Sequence, residues 1–261
     1  MIIDLHGKHA LVGGSSKGIG KAAAIELAHL GAKVTLMARS EDLLQQVVKE
    51  LPTPCDQEHG YLVVDYSDPR NLFPAVQALV DEDLVQILIN NTGGPSSGPI
   101  LNASPEQFLE AYNNHVIVSH FLASAVIDGM KEEGYGRIIN VISTSVKEPI
   151  NNLGVSNTTR AAVANWAKTL ANEVGPFGIT VNNVLPGFTS TGRLDYIIRG
   201  RSEKTNASIE QVENAMKGQV PLRRFADPSE VGAAIAFLAS PAASYISGIN
   251  LPVDGGRTRS H

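Results

Sequence analysis

Cysteine is nearly absent from this chain, since Cys55 is the single cysteine among 261 residues. One thiol cannot close an internal disulfide, and no group of cysteines and histidines has the spacing of a zinc site. We therefore expect a free Cys55 thiol near a surface loop and no bound metal.

Long apolar runs and basic tracts are missing as well. No stretch of about 18 apolar residues is available to span a bilayer, and the amino-terminal MIIDLHGKHALVGG lacks the pattern of a signal peptide. The net charge is −5 and the pI is about 5.8, so the electrostatic footprint of a nucleic-acid-binding protein is absent. These absences predict a cytoplasmic protein with neither a membrane nor a nucleic acid as its partner.

Short apolar runs alternate with segments of helical periodicity along the whole chain. The pattern predicts strands at 9–14, 33–38, 61–65, 85–91, 136–143, 178–186 and 248–254. It predicts helices at 17–32, 41–51, 71–82, about 104–131, about 155–174 and 227–240. Continuous apolar strands that alternate with helices indicate a doubly wound parallel sheet in an α/β fold. The length favours one domain over residues 1–261, and the polar segment 189–218 is expected to form a lid-like insertion.

Glycines cluster where the first strand meets the first helix, in GGSSKGIG (13–20). Gly14, Gly18 and Gly20 allow a tight turn whose backbone N–H groups approach a pyrophosphate at a helix N-terminus. A glycine cluster is a weak signal by itself, but its place between a strand and a helix makes it specific for a dinucleotide.

The end of the second strand has no acidic residue that would bind an adenosine ribose. Ala38 and Arg39 stand there, and Lys17 lies in the glycine loop. Two cations and no carboxylate favour a 2′-phosphate, so we expect NADP(H) rather than NAD(H).

Five motifs in order make the chain similar to the short-chain dehydrogenase/reductase family. They are GGSSKGIG (13–20), with Gly13 where the family has threonine, VVDYSD (63–68), ILINNTGG (87–94), VNNVLPGFTST (181–191) and the segment 221–256. The last resembles the carboxyl-terminal signature of 3-oxoacyl-carrier-protein reductases. The resemblance implies a Rossmann-type sheet of about seven strands.

The resemblance also implies a set of cofactor-binding residues along these motifs. They are Gly14, Ser16, Lys17, Gly18, Ile19, Gly20, Arg39, Asp65, Tyr66, Asn91, Gly93, Arg160, Pro186, Gly187, Thr189 and Thr191.

The chain departs from the family at the positions that carry the chemistry. Ser143 matches the family serine, but the Tyr-x-x-x-Lys that should follow reads Ser156-x-x-x-Arg160. Tyrosine has an ordinary pKa near 10, which a neighbouring lysine can lower, whereas a serine hydroxyl is a far weaker acid. Arg160 can bind ribose hydroxyls but stays protonated.

The family asparagine is also displaced. An alignment without gaps puts His115 at its position, and a shift of one residue would restore Asn114. With an ordinary pKa near 6.5, His115 is a candidate proton donor, or else a helix histidine bonded to a neighbouring carbonyl.

These features support an NADP(H)-dependent oxidoreductase that reduces a small carbonyl compound or acyl thioester, with Ser143, Ser156, Arg160 and His115 as the candidate catalytic residues. The alternative is an NADP(H)-binding sensor, scaffold or silent subunit with little turnover, and a third reading is dehydration or isomerisation with bound cofactor. Relatives assemble through the helices at about 104–131 and 155–174, so the resemblance implies a homotetramer or homodimer.

Overall fold

Short buried strands and amphipathic helices follow one another in the computed structural model, which describes residues 2–260. The strands are β1 (His9–Gly13), β2 (Lys33–Ala38), β3 (Gly60–Val63), β4 (Ile87–Asn90), β5 (Gly136–Val141), β6 (Ile179–Pro186) and β7 (Asn250–Val253). The helices are α1 (Gly18–His29), α2 (Glu41–Glu50), α3 (Pro69–Glu82), α4 (Pro105–Tyr112), α5 (Val118–Glu133), α6 (Gly154–Val174), α7 (Gly192–Thr205), α8 (Ile209–Gly218) and α9 (Pro228–Ala239).

The seven strands form one parallel sheet in the order β3-β2-β1-β4-β5-β6-β7. The order reverses between β1 and β4, which are neighbours in the sheet although two strands separate them in sequence. Open parallel sheets bind ligands at such a switch point, beyond the carboxyl ends of the strands. The predicted α/β class and seven-strand sheet are therefore confirmed.

Alternate residues of each central strand face opposite layers of helices. In β1, Ala10 and Val12 pack in the core beneath α1 and α9, while Leu11 packs in the core on the other face with α3, α5 and α6. Both faces of the sheet are thus buried, which is why its strands read as unbroken apolar runs.

Four asparagines form a row across the sheet, at the end of β4, near the end of β5, within β6 and at the start of β7. Asn90 Nδ2 donates to Asn140 Oδ1, Asn140 Nδ2 to Asn183 Oδ1, and Asn183 Nδ2 to Asn250 Oδ1, each at 2.9 Å. The parallel register places these residues side by side, so the side-chain N–H of each of the first three asparagines meets the amide oxygen of the next one. The row fixes the edge of the sheet where the candidate site lies.

Sequence signals at helix starts agree with the structure. Ser104 caps α4, Pro105 is the first helical residue, and Gln107 completes the predicted capping box. Asp227 caps α9 in the same way. At the end of α1, Gly31 has φ +89°, a conformation that suits the glycine predicted to end this helix.

The helical region predicted at about 104–131 is helical throughout, but it contains a π turn that the sequence did not predict. It consists of α4, a π-helical turn at Asn113–Ile117, and α5. A π turn accommodates one extra residue within a helix and is often found at functional sites.

The segment 189–218 holds more regular structure than its weak periodicity indicated. It forms α7 and α8, which pack on each other through Leu194, Ile198, Val212 and Met216. This small cluster is separate from the two cores of the sheet.

Among residues 2–260, no helix combines the length and the apolar character that crossing a membrane requires. Cys55 is a free, exposed thiol, as predicted.

Candidate functional site

The glycine loop between β1 and α1 lies against the end of β4. Asn91 Nδ2 donates to Gly13 O at 3.1 Å and to Gly14 O at 3.3 Å. A Cβ added at Gly14 would come within 2.7 Å of Asn91 O, and one at Gly20 would overlap Gly14 O. The close approach explains why both positions require glycine.

The N-terminus of α1 is suited to an anion. Gly14 and Gly18 have φ +55° and +60°, which turns the backbone sharply before the helix begins. The first turn of α1 contains no acidic residue, and the exposed Lys17 precedes it. Free N–H groups, the positive end of the helix dipole and this lysine together favour a phosphate group.

Tyr66 supports the glycine loop from behind. Its hydroxyl is buried, occupies the space where a Cβ on Gly13 would lie, and has no hydrogen-bond partner among residues 2–260. Burial raises the pKa of this hydroxyl well above its usual range. Gly13 thus makes room for Tyr66, which accounts for the missing side chain at the first position of the loop.

Arg39 and Asp65 lie at the ends of neighbouring strands, β2 and β3. Arg39 is 79 % exposed, and its Nη1 is 3.8 Å from Asp65 Oδ2. Asp65 Oδ1 accepts hydrogen bonds from the N–H and hydroxyl of Ser67, and these bonds, with Arg39, hold the pKa of Asp65 below its usual value. An exposed guanidinium and a fixed carboxylate therefore flank the glycine loop.

The segment after β6 closes the other side of the loop. Gly187 packs against Asp254, where a Cβ would come within 2.7 Å of the Asp254 Cα. Thr191 lies against Gly18, since a Cβ added at Gly18 would be 3.3 Å from Thr191 Cγ2. The hydroxyl of the buried Thr189 donates to Gly187 O at 3.3 Å.

Arg160 carries its charge inside the protein. Its side chain is 8 % exposed, and Nη1 donates to Val141 O, at the end of β5, at 3.1 Å. Nη2 lies beside Gly94, where a Cβ would be 3.4 Å away. Burial lowers the pKa of Arg160 to about 10, and the charge of Arg193 adds to this effect. The guanidinium is still positive at neutral pH.

His115 is buried in the π turn and faces this charge. Burial, followed by the charge of Arg160, lowers the pKa of His115 to about 3. The imidazole is therefore neutral at neutral pH, which removes the imidazolium that an ordinary pKa near 6.5 would have supplied. His115 is buried and its pKa responds to the charge of Arg160, whereas Asn114 is half-buried.

The two serines lie on separate elements near the end of β5. Ser143 caps the short turn after β5, where its Oγ accepts a hydrogen bond from Ser145 N at 3.1 Å. Ser156 is buried on α6, one helical turn before Arg160. Ser143 Oγ keeps its proton available for donation.

Four other predicted residues lie in the glycine loop, at the start of α1, after β4 and at the end of β6. Ser16 is half-buried in the glycine loop, Ile19 packs against the core beneath α1, and Gly93 is exposed after β4 with no atom within 4 Å of a Cβ added there. Pro186 ends β6. The structure thus brings the predicted residues of β1, β4, β5, β6 and α6 to one edge of the sheet.

From the sequence, Arg193 is one of four arginines in and after the polar segment that could meet an acidic substrate group, and surface exposure is the favoured interpretation for all four. Arg193 begins the first turn of α7, and its Nη2 donates to Pro95 O, in the loop after β4, at 3.1 Å. Sequence reasoning missed the carboxyl-terminal tail, where the N–H groups of Arg259 and Ser260 donate to Glu148 Oε1 at 2.7 and 2.8 Å. The polar composition of 189–218 was a signal for the contact between Arg193 and Pro95. No feature of the sequence pointed to the contact between the tail and Glu148.

Together these observations fit a bound dinucleotide. A side chain at Gly14, Gly18 or Gly20 would fill the space, or cradle, that these glycines leave open. This space adjoins the N-terminus of α1, whose first turn contains no acidic residue. Arg39 and Lys17 provide positive charge where a 2′-phosphate would lie if the dinucleotide follows the usual path across the switch point.

A family model described as enoyl-(acyl carrier protein) reductase matches residues 14–258. The chain is 37 % identical over 257 residues to the 3-oxoacyl-[acyl-carrier-protein] reductase FabG of Vibrio cholerae, a match that covers 97 % of this chain and 98 % of the relative. It is 33 % identical to the FabG protein of Pseudomonas aeruginosa over 258 residues, with 97 % and 98 % covered.

Solved structures share the whole architecture. L-sorbose reductase from Gluconobacter frateurii, determined with NADPH and L-sorbose, has a TM-score of 0.93 and 30 % identity and is covered over 100 % of both chains. YwfH, an NADPH-dependent reductase involved in bacilysin biosynthesis, has a TM-score of 0.92 and 28 % identity, with 97 % of this chain and 99 % of that chain covered.

The packing of Tyr66 behind Gly13 predicts that these two positions are energetically coupled. Gly13→Ala should lower the free energy of unfolding by about 1–3 kcal/mol, because the new methyl group overlaps the Tyr66 hydroxyl. Tyr66→Leu in the same chain should recover at least about 1 kcal/mol of that loss. Urea unfolding of the single and double variants measures both values.

Gly175→Ala is the matched control, since no atom lies within 4 Å of a Cβ added at Gly175. It should leave stability unchanged or slightly raised. Additive effects of Gly13→Ala and Tyr66→Leu would contradict the coupling.

Proposed function

Because the chain belongs to the short-chain dehydrogenase/reductase family, we propose that it is an NADP(H)-dependent oxidoreductase that reduces a carbonyl group. The observation that carries the proposal is the glycine cradle at the N-terminus of α1, closed by Asn91 and Thr191 and joined by the same β4 loop to the buried Arg160. One edge of the sheet thus offers a dinucleotide site and a charged pocket next to each other.

The cofactor would be held by residues of the motifs around the cradle. Backbone N–H groups of Ser16, Lys17, Gly18, Ile19 and Gly20 would meet the pyrophosphate. Arg39 and Lys17 would bind the 2′-phosphate, and Asp65 and the Tyr66 backbone would lie beside the adenine. Asn91, Gly93, Pro186, Gly187, Thr189 and Thr191 would shape the slot toward the nicotinamide. NADPH in the solved structures of relatives supports the preference for NADP(H).

When bound, NADPH would supply a hydride to the carbonyl carbon of the substrate. The electron pair of the C=O π bond then moves to oxygen, which takes up one proton. In this chain, the hydroxyls of Ser143 and Ser156 would donate hydrogen bonds to that oxygen. The fixed charge of Arg160 would stabilise the negative charge as it develops, as preorganised dipoles and cations do in other active sites.

We propose that Ser156 and Arg160 occupy the positions of the family tyrosine and lysine. Without tyrosine, the strong general acid is missing, and general acid catalysis is typically worth about 10²- to 10⁴-fold. The neutral His115 cannot replace that acid at neutral pH, although its N–H can donate a hydrogen bond to an oxyanion. The proton taken up by the carbonyl oxygen would come from water, through hydrogen bonds with Ser143, Ser156 and His115.

The alternative is an NADP(H)-binding protein with little turnover, such as a sensor, a scaffold or a silent subunit. Ser156 favours the binding protein, because a serine replaces the general acid that a reductase would need. The rest of the site supports NADP(H) binding equally in a reductase and in a binding protein. Dehydration or isomerisation with bound cofactor is a third possibility. All three share the cradle, so only a measurement of the reaction separates them.

The first test is the oxidation of NADPH with a 3-oxoacyl thioester, by the wild type and by a Ser156→Tyr/Arg160→Lys double variant. We expect slow turnover by the wild type and a kcat about 10²- to 10⁴-fold higher in the double variant, because the variant regains a phenol next to an amine. Absorbance at 340 nm follows the reaction, and Trp166 fluorescence reports cofactor binding.

Thr158→Ala, at an exposed position of α6, is the control and should leave both rates unchanged. An inactive wild type together with an active double variant would favour the alternative, an NADP(H)-binding protein with little turnover. If neither the wild type nor the double variant oxidises NADPH, although NADPH binds, the result would count against 3-oxoacyl thioesters as substrates.

Cofactor selectivity depends on Arg39 in this proposal. Arg39→Glu should weaken NADPH binding about tenfold or more and leave NADH binding nearly unchanged, because a carboxylate repels the 2′-phosphate. Calorimetric titration with each cofactor measures the two affinities. Arg70→Glu, at a 96 % exposed position, is the control for the change in net charge. An equal loss for both cofactors would place the 2′-phosphate elsewhere.

We also propose that the chain assembles as a homotetramer or homodimer. Apolar side chains on α4 and in the π turn support an interface there, since Leu109 is 63 %, Tyr112 45 % and Ile117 43 % exposed. Light scattering should give a mass of two or four chains of 27.7 kDa, and Leu109→Lys should lower it. Leu43→Lys, an exposed leucine on α2, should not. A single-chain mass for the wild type would contradict the assembly.

A further inference from the structure

Two arginines from different helices contact consecutive residues of one loop. Arg160, from α6, has Nη2 beside Gly94, and Arg193, from α7, has Nη2 on Pro95 O at 3.1 Å. Successive Cα atoms are only about 3.8 Å apart, so the two guanidiniums lie close together at this loop.

No acidic side chain compensates the two charges. Among residues 2–260, no carboxylate oxygen lies within 4.0 Å of either guanidinium. Arg160 is buried, so leaving its guanidinium unpaired is costly, and the exposed Arg193 nearby adds repulsion. The neutral His115 beside Arg160 does not relieve this charge.

The carboxylates of nearby segments are engaged elsewhere. Glu148 Oε1 accepts the N–H groups of Arg259 and Ser260. Asp254 accepts those of Gly256 and Thr258, at 3.0 and 2.7 Å. Both acids thus already accept hydrogen bonds from the backbone of the carboxyl-terminal tail.

Each guanidinium keeps donors for a ligand. Arg160 uses Nη1 for Val141 O and Arg193 uses Nη2 for Pro95 O, while a guanidinium has five N–H donors in a planar fork. Two such groups around one space match the two oxygens of a carboxylate, which binds arginine through paired charge-assisted hydrogen bonds.

We propose that the cleft has a carboxylate subsite formed by Arg160 and Arg193, so that the substrate is a small oxo acid rather than a neutral thioester. The inference rests on the proposed reductase function for the identity of the reacting group. The carboxylate subsite itself is defined by binding alone. Ser143 and Ser156 would receive the carbonyl oxygen, while the carboxylate of the same molecule would lie between the arginines.

Binding of malonate to the protein saturated with NADP⁺ tests the subsite without turnover. Malonamide, which has the same skeleton and no charge, is the paired neutral probe. We expect calorimetry to show malonate binding at least about tenfold tighter than malonamide, because only the dianion forms charge-assisted hydrogen bonds with the arginines. Saturation with NADP⁺ keeps malonate from the phosphate-binding residues of the cofactor site.

Arg193→Gln should weaken malonate binding about tenfold or more, while Arg193→Lys should retain part of it and Arg199→Gln should leave it unchanged. Arg199 lies on α7 as well, is exposed, and makes none of these contacts, which makes it a matched control for net charge. Thermal unfolding of each variant shows whether the fold is intact.

Turnover then tests the substrate class. Acetoacetate and pyruvate should be reduced with a lower KM than their ethyl esters, and Arg193→Gln should remove that difference by raising the KM of the acids. Equal affinity for malonate and malonamide, or malonate binding that survives Arg193→Gln, would overturn the subsite. Malonate binding that depends on Arg193, without reduction of any oxo acid, would leave the subsite standing and refute the reductase function instead.

Discussion

The guanidinium of Arg160 carries a full positive charge inside the protein, with one backbone carbonyl as its partner and no carboxylate within 4.0 Å in the described chain. That charge sets the electrostatics of the cleft. It helps to keep His115 neutral, and it is close enough to Arg193 for the two charges to repel. A site of this kind favours anionic ligands and stabilises oxyanions, but it holds no group that readily gives up a proton at neutral pH.

The loops around the site depend on the ends of the parallel strands. Asn91 joins the β4 end to the glycine loop, Arg160 joins α6 to the β5 end, and Arg193 joins α7 to the loop after β4. Each bond crosses between elements that are distant in sequence. The row of asparagines beneath them holds β4 to β7 in register, so the positions of these loops follow from the sheet.

Local sequence signals were enough to predict the seven strands, most of the helices and the glycine loop, but not α7, α8 or the π turn. Ser104 and Gln107 predict the start of α4, Gly31 predicts the end of α1, and Gly14, Gly18 and Gly20 predict the dinucleotide cradle, because each acts within a few residues of its own position. The orientation of Tyr66 could not be predicted in this way. Its hydroxyl fills a space that exists only when β1 and the loop after β3 are already packed together.

Local sequence patterns could likewise not predict the charges in the cleft. The pKa of His115 is low because of burial and of a guanidinium 45 positions later in the chain, neither of which is visible in the residues around His115. Arg193 belongs to a segment that reads as polar surface, and only the fold brings it to Pro95. The motifs could thus name candidate site residues, whereas the protonation and the hydrogen-bond partners of these residues required the structure.

The π turn at Asn113–Ile117 gives this site a second way to vary besides substitution. A π turn holds one residue more than the α-helical path between the same two ends, so the side chain that faces Arg160 depends on the length of the chain as well as on residue type. Loss of a single codon before His115 would rotate the following side chains by about 100° relative to the helix ahead of it. Insertions and deletions, which usually accumulate in surface loops, can here exchange the polar group inside a buried cleft in one step.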